Sequence, residues 1–168
     1  MALTRPQPID QSHDSAAFDS GVPVLDDWLK RRAQANQASG ASRTYVVCDD
    51  QRIVAYYALA SGAVDIKQAS GRFRRNMPDP VPVVVLGRLA VERTYQNRGI
   101  GRALVGDAAS RVIQAADLIG IRGILVHAIS AEASDFYRAV GFEISPIAPL
   151  TLMATLADIQ ATLQNASR

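Results

Sequence analysis

The sequence predicts an α/β (α+β) fold in which a mixed central sheet is flanked by helices. Residues 83–91 form an apolar run that is typical of a strand buried on both faces. A loop with two glycines follows at 96–102, and the helical pattern of 99–119 comes next. Strand, loop and helix in this order build sheets that helices cover. The 168 residues suffice for a hydrophobic core, so we expect a single domain over 1–168.

The chain before this unit predicts a helix and a β-hairpin. Pro23 can occupy the first turn of a helix over 23–38, in which apolar residues recur at helical spacing. Two apolar, β-branched stretches, 44–48 and 53–63, flank a turn of acidic and amide residues and therefore predict a hairpin. A polar connection over 67–76 then leads to the central strand.

The chain after the long helix predicts strands that alternate with short helices. Within the central run, Gly87 indicates a bulge or a close backbone approach. The later elements are a buried strand over 123–129, a short helix that ends at Gly141, strands over 142–145 and 150–156, and a short helix or tail over 157–168.

The glycine loop predicts an anion site. Two glycines let the backbone turn sharply, and the first turn of the following helix has unpaired N–H groups at the positive end of its dipole. Phosphate is a natural ligand there. The pattern is neither a dinucleotide-binding fingerprint nor a Walker A loop, and a tight strand-to-helix connection is the alternative. The candidate residues are Gln96, Asn97, Arg98, Gly99, Ile100, Gly101 and Arg102.

Two motifs resemble the GNAT acetyltransferases. The loop matches a Q-x-x-G-x-G pattern, and residues 134–142 resemble the A-x-x-F-Y-x-x-x-G-F segment of those enzymes. The resemblance implies the GNAT fold with a splayed central strand, which a bulge at Gly87 would supply. It also implies acetyl-CoA as cosubstrate, with its pyrophosphate on the loop amides.

The same resemblance assigns roles in acyl transfer. Tyr137 would be the general acid that protonates the leaving thiolate, and a core aromatic is the alternative. Backbone N–H groups of Leu89, Ala90 and Val91 would hold the thioester oxygen. Two base candidates are weaker: Glu92 is expected to be a solvated turn carboxylate, and His127 a hydrogen-bonded core histidine.

A narrower resemblance points to one group of GNAT enzymes. Residues 39–47, 56–59, 74–78 and 85–91 look like the GNAT toxins of toxin–antitoxin modules. Those enzymes acetylate the amino group of aminoacyl-tRNA and stop translation, and their usual partner is a ribbon-helix-helix antitoxin. A homodimer is a candidate assembly. Because the α-amine of an aminoacyl ester is largely neutral near pH 7, a strong protein base is not required.

The distribution of charged residues indicates which segments could bind the tRNA. Net charge is only +2, so the case rests on local charge. Residues 28–48 and 66–78 contain no acid, and such runs bind phosphate well, although a solvated face is the common alternative. Phe73 would either stack on a base or pack inward. The candidate nucleic-acid contacts are Lys30, Arg31, Arg32, Arg43, Arg72, Arg74 and Arg75.

Composition and residue spacing also bear on whether the protein is a membrane, secreted or metal-binding protein. No apolar run approaches the ~20 residues of a membrane span, and the N-terminus lacks the apolar region of a signal peptide. The single cysteine, Cys48, is expected to be a small buried hydrophobe, which suits a cytoplasmic protein. No metal is expected, because no cluster has metal-ligand spacing. A GNAT enzyme for a small amine or a protein N-terminus, and a non-catalytic acyl-CoA-binding module, remain as alternatives.

Overall fold

The computed structural model describes residues 2–166 and has the predicted α/β architecture, a mixed sheet flanked by helices. The strands are β1 (Gln7–Pro8), β2 (Arg43–Asp49), β3 (Arg52–Val64), β4 (Val81–Val91), β5 (Gly123–His127), β6 (Glu143–Ile144) and β7 (Thr151–Thr155). The helices are α1 (Pro23–Arg31), α2 (Ala33–Ser39), α3 (Gly71–Arg74), α4 (Ile100–Ala116), α5 (Ala131–Ala139) and α6 (Leu156–Ala166). Short 3-10 helices lie at Ile66–Gln68 and Arg93–Tyr95.

The strand order is β1-β2-β3-β4-β5-β7-β6. Strands β1, β2 and β3 pair antiparallel, β4 runs parallel to β5, and β7 pairs antiparallel with both β5 and β6. In the parallel pair, Val84 is level with Ile124 and Leu86 with Val126. The chain clusters into two compact units. The first is the chain through Ala60 with Gly87–Asp107, and the second is Ser61–Leu86 with the chain from Ala108 onward.

The first unit has its own core between α1, α2 and the strands. Leu25 and Leu29 of α1 pack with strand residues such as Val46, Tyr56 and Ala90. Cys48 belongs to this core, as predicted, and burial raises the pKa of its thiol to about 11, so the thiol stays protonated. This core fixes α1 against the end of β4 that precedes the glycine loop.

The predicted single helix over 23–38 is wrong in one respect, because it is two helices. Arg32 interrupts it with φ −121° and ψ −30°, although its N–H still bonds to the Trp28 carbonyl at 2.8 Å. The second helix ends as predicted, since Gly40 adopts φ 82° and its N–H bonds to the Asn36 carbonyl at 3.0 Å.

The second unit has a separate core around α3, β4, β5 and β7. Phe73 is only 1% exposed and packs with Val81, Val83, Leu125 and Met153. It therefore packs inward, and the alternative of stacking on a base is excluded. The predicted polar connection over 67–76 is also wrong in part, because α3 forms within it and Ser70 caps that helix by accepting from the Phe73 N–H.

The glycine of the central strand lies where the sequence places it. Gly87 lies inside β4 with open space at the position of a Cβ, and the bulge there stays a prediction.

Within residues 2–166, no helix is both long and apolar enough to cross a membrane.

Candidate active site

The glycine loop leaves the end of β4 through the 3-10 helix Arg93–Tyr95 and enters α4. Asn97 and Gly99 adopt φ 64° and 81°, the left-handed region that reverses the chain direction in a few residues. Residues 96–99 are exposed. The loop is therefore an open, sharply turned backbone segment at the N-terminus of a 17-residue helix.

Gln96 anchors this loop with its side chain. Its Nε2 donates to the Val91 carbonyl at 2.8 Å and to the Ser20 carbonyl at 2.9 Å. Both amide donors of Gln96 thus bind the protein. The side chain holds the loop to the end of β4. The backbone N–H of Gln96 is also occupied, because it donates to the Arg93 carbonyl at 3.3 Å, so Gln96 anchors the loop and offers no free N–H to a ligand.

Arg98 is held on an aromatic ring. Its guanidinium lies 5.1 Å from the centroid of Tyr95. The Tyr95 hydroxyl donates to Asp49 at 2.7 Å and accepts from Arg52 at 3.3 Å. Asp49 and Arg52 lie at the β2–β3 turn, so the hairpin end supports the ring on which Arg98 rests.

The first turn of α4 completes an anion-binding arrangement. Its first backbone bond runs from the Ala103 N–H to the Gly99 carbonyl at 3.1 Å. The N–H groups before Ala103 have no partner inside the helix, as at any helix N-terminus. Arg98 and Arg102 are exposed on either side of the start of the helix. Free amides, a helix dipole and two cations fit a pyrophosphate, which is the group that acetyl-CoA would present here.

Tyr137 lies in the second unit, on α5. It is 8% exposed, and its ring makes edge-to-face contacts with Phe136 at 5.2 Å and Phe142 at 5.6 Å. Its hydroxyl makes no hydrogen bond with any side chain or backbone group that the structure describes. Burial alone raises its pKa to about 12. The phenol is therefore protonated at neutral pH, and no described group accepts its hydrogen.

Neither weak base candidate lies where the sequence predicted. Glu92 is 8% exposed rather than solvated, and its Oε2 accepts from the Thr94 N–H at 2.9 Å and from the Thr94 hydroxyl. It caps the 3-10 helix, a structural task. His127 is exposed at the end of β5 rather than in the core, with Nδ1 3.2 Å from the Thr151 hydroxyl. In the described part of the chain no group of three or more acidic, His or Cys side chains is placed to hold a metal ion.

The predicted basic residues are all exposed. Lys30 and Arg31 lie in the last turn of α1, and Arg32 follows them. Arg43 donates to the Gln37 carbonyl at 2.8 Å. In the second unit, Arg72, Arg74 and Arg75 lie on and just after α3, and Arg72 pairs with Asp158 at 3.3 Å. The two runs are thus solvent-facing sets of cations, one in each unit.

The sequence did not predict the contacts of two further arginines. Arg122 donates to the Phe73 carbonyl at 2.8 Å and the Arg72 carbonyl at 2.7 Å, so it ties the basic helix α3 to the start of β5. Arg88 lies 4.6 Å over the Trp28 ring. Each is a lone cation in an apolar stretch, and no sequence pattern indicates its partner.

Comparison with known proteins identifies the family. Residues 40–144 match the family described as "Acetyltransferase (GNAT) domain". The chain is 53% identical over 158 residues to a Mycobacterium tuberculosis protein named "tRNA-acetylating toxin", covering 94% of this chain and 95% of that one. A second relative, named "Probable toxin TacT", from Sinorhizobium fredii, is 25% identical over 169 residues, covering 94% of this chain and 93% of the relative.

Solved structures agree with this assignment. A tyrosine-to-phenylalanine mutant of KacT matches with a TM-score of 0.88 and 27% identity, covering 96% of this chain and 99% of that one. AtaT complexed with acetyl-methionyl-tRNAfMet matches with a TM-score of 0.87 and 26% identity, covering 95% and 98%. AtaTR bound with AcCoA matches with a TM-score of 0.81 and 27% identity, covering 95% and 96%. The domain match and the 53% identity together show that the chain belongs to the GNAT acetyltransferase family.

Proposed function

We propose that this protein is an acetyl-CoA-dependent N-acetyltransferase toxin that acetylates the α-amine of aminoacyl-tRNA and thereby blocks translation. The observation that carries the proposal is 53% identity, over 94% of the chain, to a protein named tRNA-acetylating toxin. A structural relative in complex with acetyl-methionyl-tRNA supports the same substrate class.

The donor side uses the glycine loop. Acetyl-CoA supplies an acetyl thioester, and an AcCoA-bound relative supports it as the cosubstrate. The backbone of Asn97 and Gly99, with the first-turn amides of Ile100, Gly101 and Arg102, would hold its pyrophosphate. Arg98 would add charge, and Gln96, whose own donors bind the protein, would hold the loop in place. The backbone N–H groups of Leu89, Ala90 and Val91 would polarise the thioester carbonyl.

Tyr137 would supply the proton. In the transfer a bond forms between the acceptor nitrogen and the acetyl carbon while the carbon–sulfur bond breaks. The nitrogen then loses a proton to solvent, and the departing sulfur needs a proton. With a pKa of about 12 this buried phenol is protonated at neutral pH, so its proton is present when the carbon–sulfur bond breaks. Tyrosine-to-phenylalanine mutants are among the solved forms of both KacT and AtaT, which suits a role for one tyrosine.

No strong protein base is required on the acceptor side. The ester group of an aminoacyl-tRNA withdraws electrons, so much of its α-amine is neutral near pH 7. Since Glu92 caps a 3-10 helix and His127 bonds to Thr151, neither is assigned a catalytic role.

The exposed cations would bind the tRNA backbone. Phosphate contacts supply most of the affinity of a protein for nucleic acid without reading its sequence. The proposed contacts are Lys30, Arg31, Arg32, Arg43, Arg72, Arg74 and Arg75.

The proposed partner is an antitoxin of the ribbon-helix-helix class, and the proposed place of action is the cytoplasm, where aminoacyl-tRNA is found. An AtaT mutant bound to the C-terminus of the antitoxin AtaR supports an antitoxin partner. A homodimer is proposed as the assembly.

The test uses radiolabelled acetyl-CoA with charged and uncharged tRNA. We expect label on the charged tRNA only, and we expect it to leave with the amino acid when the ester is hydrolysed. Equal labelling of uncharged tRNA contradicts the α-amine as acceptor. No label on any aminoacyl-tRNA, together with efficient acetylation of a polyamine or a protein N-terminus, replaces this function by the alternative GNAT activity.

A further inference from the structure

Arg88 is fixed by an aromatic contact. It is half-buried on β4, and its guanidinium lies 4.6 Å from the centroid of the Trp28 ring. Trp28 in turn stacks on Tyr56, with ring centroids 5.9 Å apart and an angle of 9° between the planes. Tyr56 is fully buried and donates to the Leu25 carbonyl at 2.6 Å. The guanidinium therefore rests on a rigid support.

The guanidinium N–H donors of Arg88 have no acceptor in the part of the chain that the structure describes. Across residues 2–166 no carboxylate, carbonyl or hydroxyl bonds to its guanidinium. Two arginines elsewhere in the protein do have acceptors: Arg93 pairs with Asp19, and Arg72 with Asp158. An arginine carries five N–H donors, and leaving them unpaired where water is partly excluded costs free energy. A half-buried arginine in this state is suited to an anionic ligand.

The position of Arg88 indicates which ligand. Along β4, Arg88 is on the same face as Ala90, which packs in the α1-side core with Tyr56. Trp28 and Arg31 are three residues apart on α1 and so share a helix face. Through its contact with Trp28, Arg88 adds a further cation to the basic end of α1. Arg88 also directly precedes Leu89–Val91, the segment proposed to polarise the thioester.

We propose that Arg88, held flat by Trp28, binds a backbone phosphate at the aminoacylated end of the tRNA and so positions the amino group beside β4. The proposal rests on the proposed function and names the residue that holds the reacting end of the substrate. A planar guanidinium matches the geometry of a phosphate with two parallel hydrogen bonds. The exposed cations at the end of α1, in the same unit as Arg88, would contact phosphates further along the same molecule.

The test compares two acceptors, a full-length aminoacyl-tRNA and a short aminoacylated acceptor-stem RNA. Arg88→Gln should raise KM for both by about ten- to hundredfold and leave KM for acetyl-CoA unchanged. The pair Arg74→Ala and Arg75→Ala should raise KM for the full-length substrate only. Arg88→Lys should restore part of the loss, because it keeps the charge without the planar fork. Arg5→Gln, at an exposed arginine outside both basic runs, is the control.

The outcomes that overturn the proposal are distinct from failure of the proposed function. An unchanged KM for the short acceptor in Arg88→Gln removes Arg88 from that end of the tRNA. A raised KM for acetyl-CoA instead assigns it to the donor. Each variant is also titrated with the uncharged acceptor-stem RNA, a measurement that needs no chemistry. A wild-type Kd for Arg88→Gln there overturns the proposal, even if wild-type protein acetylates neither acceptor.

Discussion

The Tyr95 hydroxyl donates a hydrogen bond of 2.7 Å to Oδ2 of Asp49, joining the 3-10 helix before the glycine loop to the β2–β3 turn. This bond raises the pKa of the Tyr95 phenol, because ionisation would remove the donated hydrogen. The same ring supports the guanidinium of Arg98. One phenol therefore links the hairpin to a cation of the proposed pyrophosphate site.

Tyr95→Phe should weaken acetyl-CoA binding a few-fold. The ring that supports Arg98 remains, but the bond that fixes the ring is removed. Asp49→Asn keeps an acceptor at the same place and should have a smaller effect. Isothermal titration with acetyl-CoA measures both. Equal, wild-type affinities would show that the position of this ring does not matter to the donor site.

Gly99→Val and Gly101→Val should abolish most acetyl-CoA affinity. A Cβ at Gly99 meets open space in the protein, so its effect would come from the left-handed φ of 81°, which costs about 1–2 kcal/mol, and from blocking the ligand. Gly40→Val is a matched control, because Gly40 has φ 82° and no close neighbour but caps α2 instead. It should lose similar stability and keep acetyl-CoA affinity. Parallel losses of affinity in Gly40→Val and Gly99→Val would mean that the loop is not the pyrophosphate site.

Tyr137→Phe should reduce turnover by about 10²–10⁴-fold, the usual range for removal of a general acid. The edge-to-face contacts with Phe136 and Phe142 need only the ring, and the hydroxyl makes no hydrogen bond in the described part of the chain, so fold and acetyl-CoA binding should persist. Single-turnover rates are compared with Kd values for acetyl-CoA. Near-normal turnover at several pH values would remove Tyr137 from the mechanism.

The raised pKa of Tyr137 also predicts how stability depends on pH. Below pH 10 the phenol is protonated in both the folded and unfolded states. Between pH 10 and about 12 the unfolded state releases the proton while the folded state keeps it, so the free energy of unfolding falls. The total is about 3 kcal/mol at most. Denaturant titrations at pH 9 and 11 should show a smaller decrease for Tyr137→Phe than for wild type, and parallel curves would contradict a buried phenol.

Local chemistry accounts for what the sequence predicted. The glycine loop can be recognised in the sequence because its left-handed residues, Asn97 and Gly99, and its cations are close together in the chain. Long-range partners are not visible in this way: Gln96 bonds to Ser20, which is 76 residues away, and Arg122 bonds to Phe73. The break at Arg32 carries no proline or glycine to mark it.

The predicted surroundings of Glu92 and His127 were wrong for the same reason. Glu92 looked like a solvated carboxylate because a turn follows the strand, yet its partner Thr94 and its burial depend on how the loop folds back. His127 looked buried because its neighbours in the sequence are apolar, but it is the last residue of β5 and is exposed.

Replacing Arg74 and Arg75 with Ala should weaken tRNA binding and flatten its salt dependence. For every phosphate that the protein no longer binds, the slope of log Kd against log salt should fall by about 1. Both side chains are exposed, so stability should hardly change. Filter binding across a salt series measures the slope, and Arg5→Ala controls for the removal of an exposed charge. A slope equal to that of wild type would mean that Arg74 and Arg75 face solvent and do not contact the tRNA.

Asp158→Asn should strengthen tRNA binding. Asp158 lies in the first turn of α6 and pairs with Arg72 at 3.3 Å, where the Arg72 side chain is 67% exposed and the Asp158 side chain 21%. The carboxylate competes with phosphate for the guanidinium and repels the tRNA. Removing its charge should lower Kd about two- to threefold and cost under about 1 kcal/mol of stability, since an exposed ion pair contributes little. The gain should vanish in Arg72→Ala, because no guanidinium is then released. A gain that persists in the double variant would mean that Asp158 acts through long-range repulsion alone.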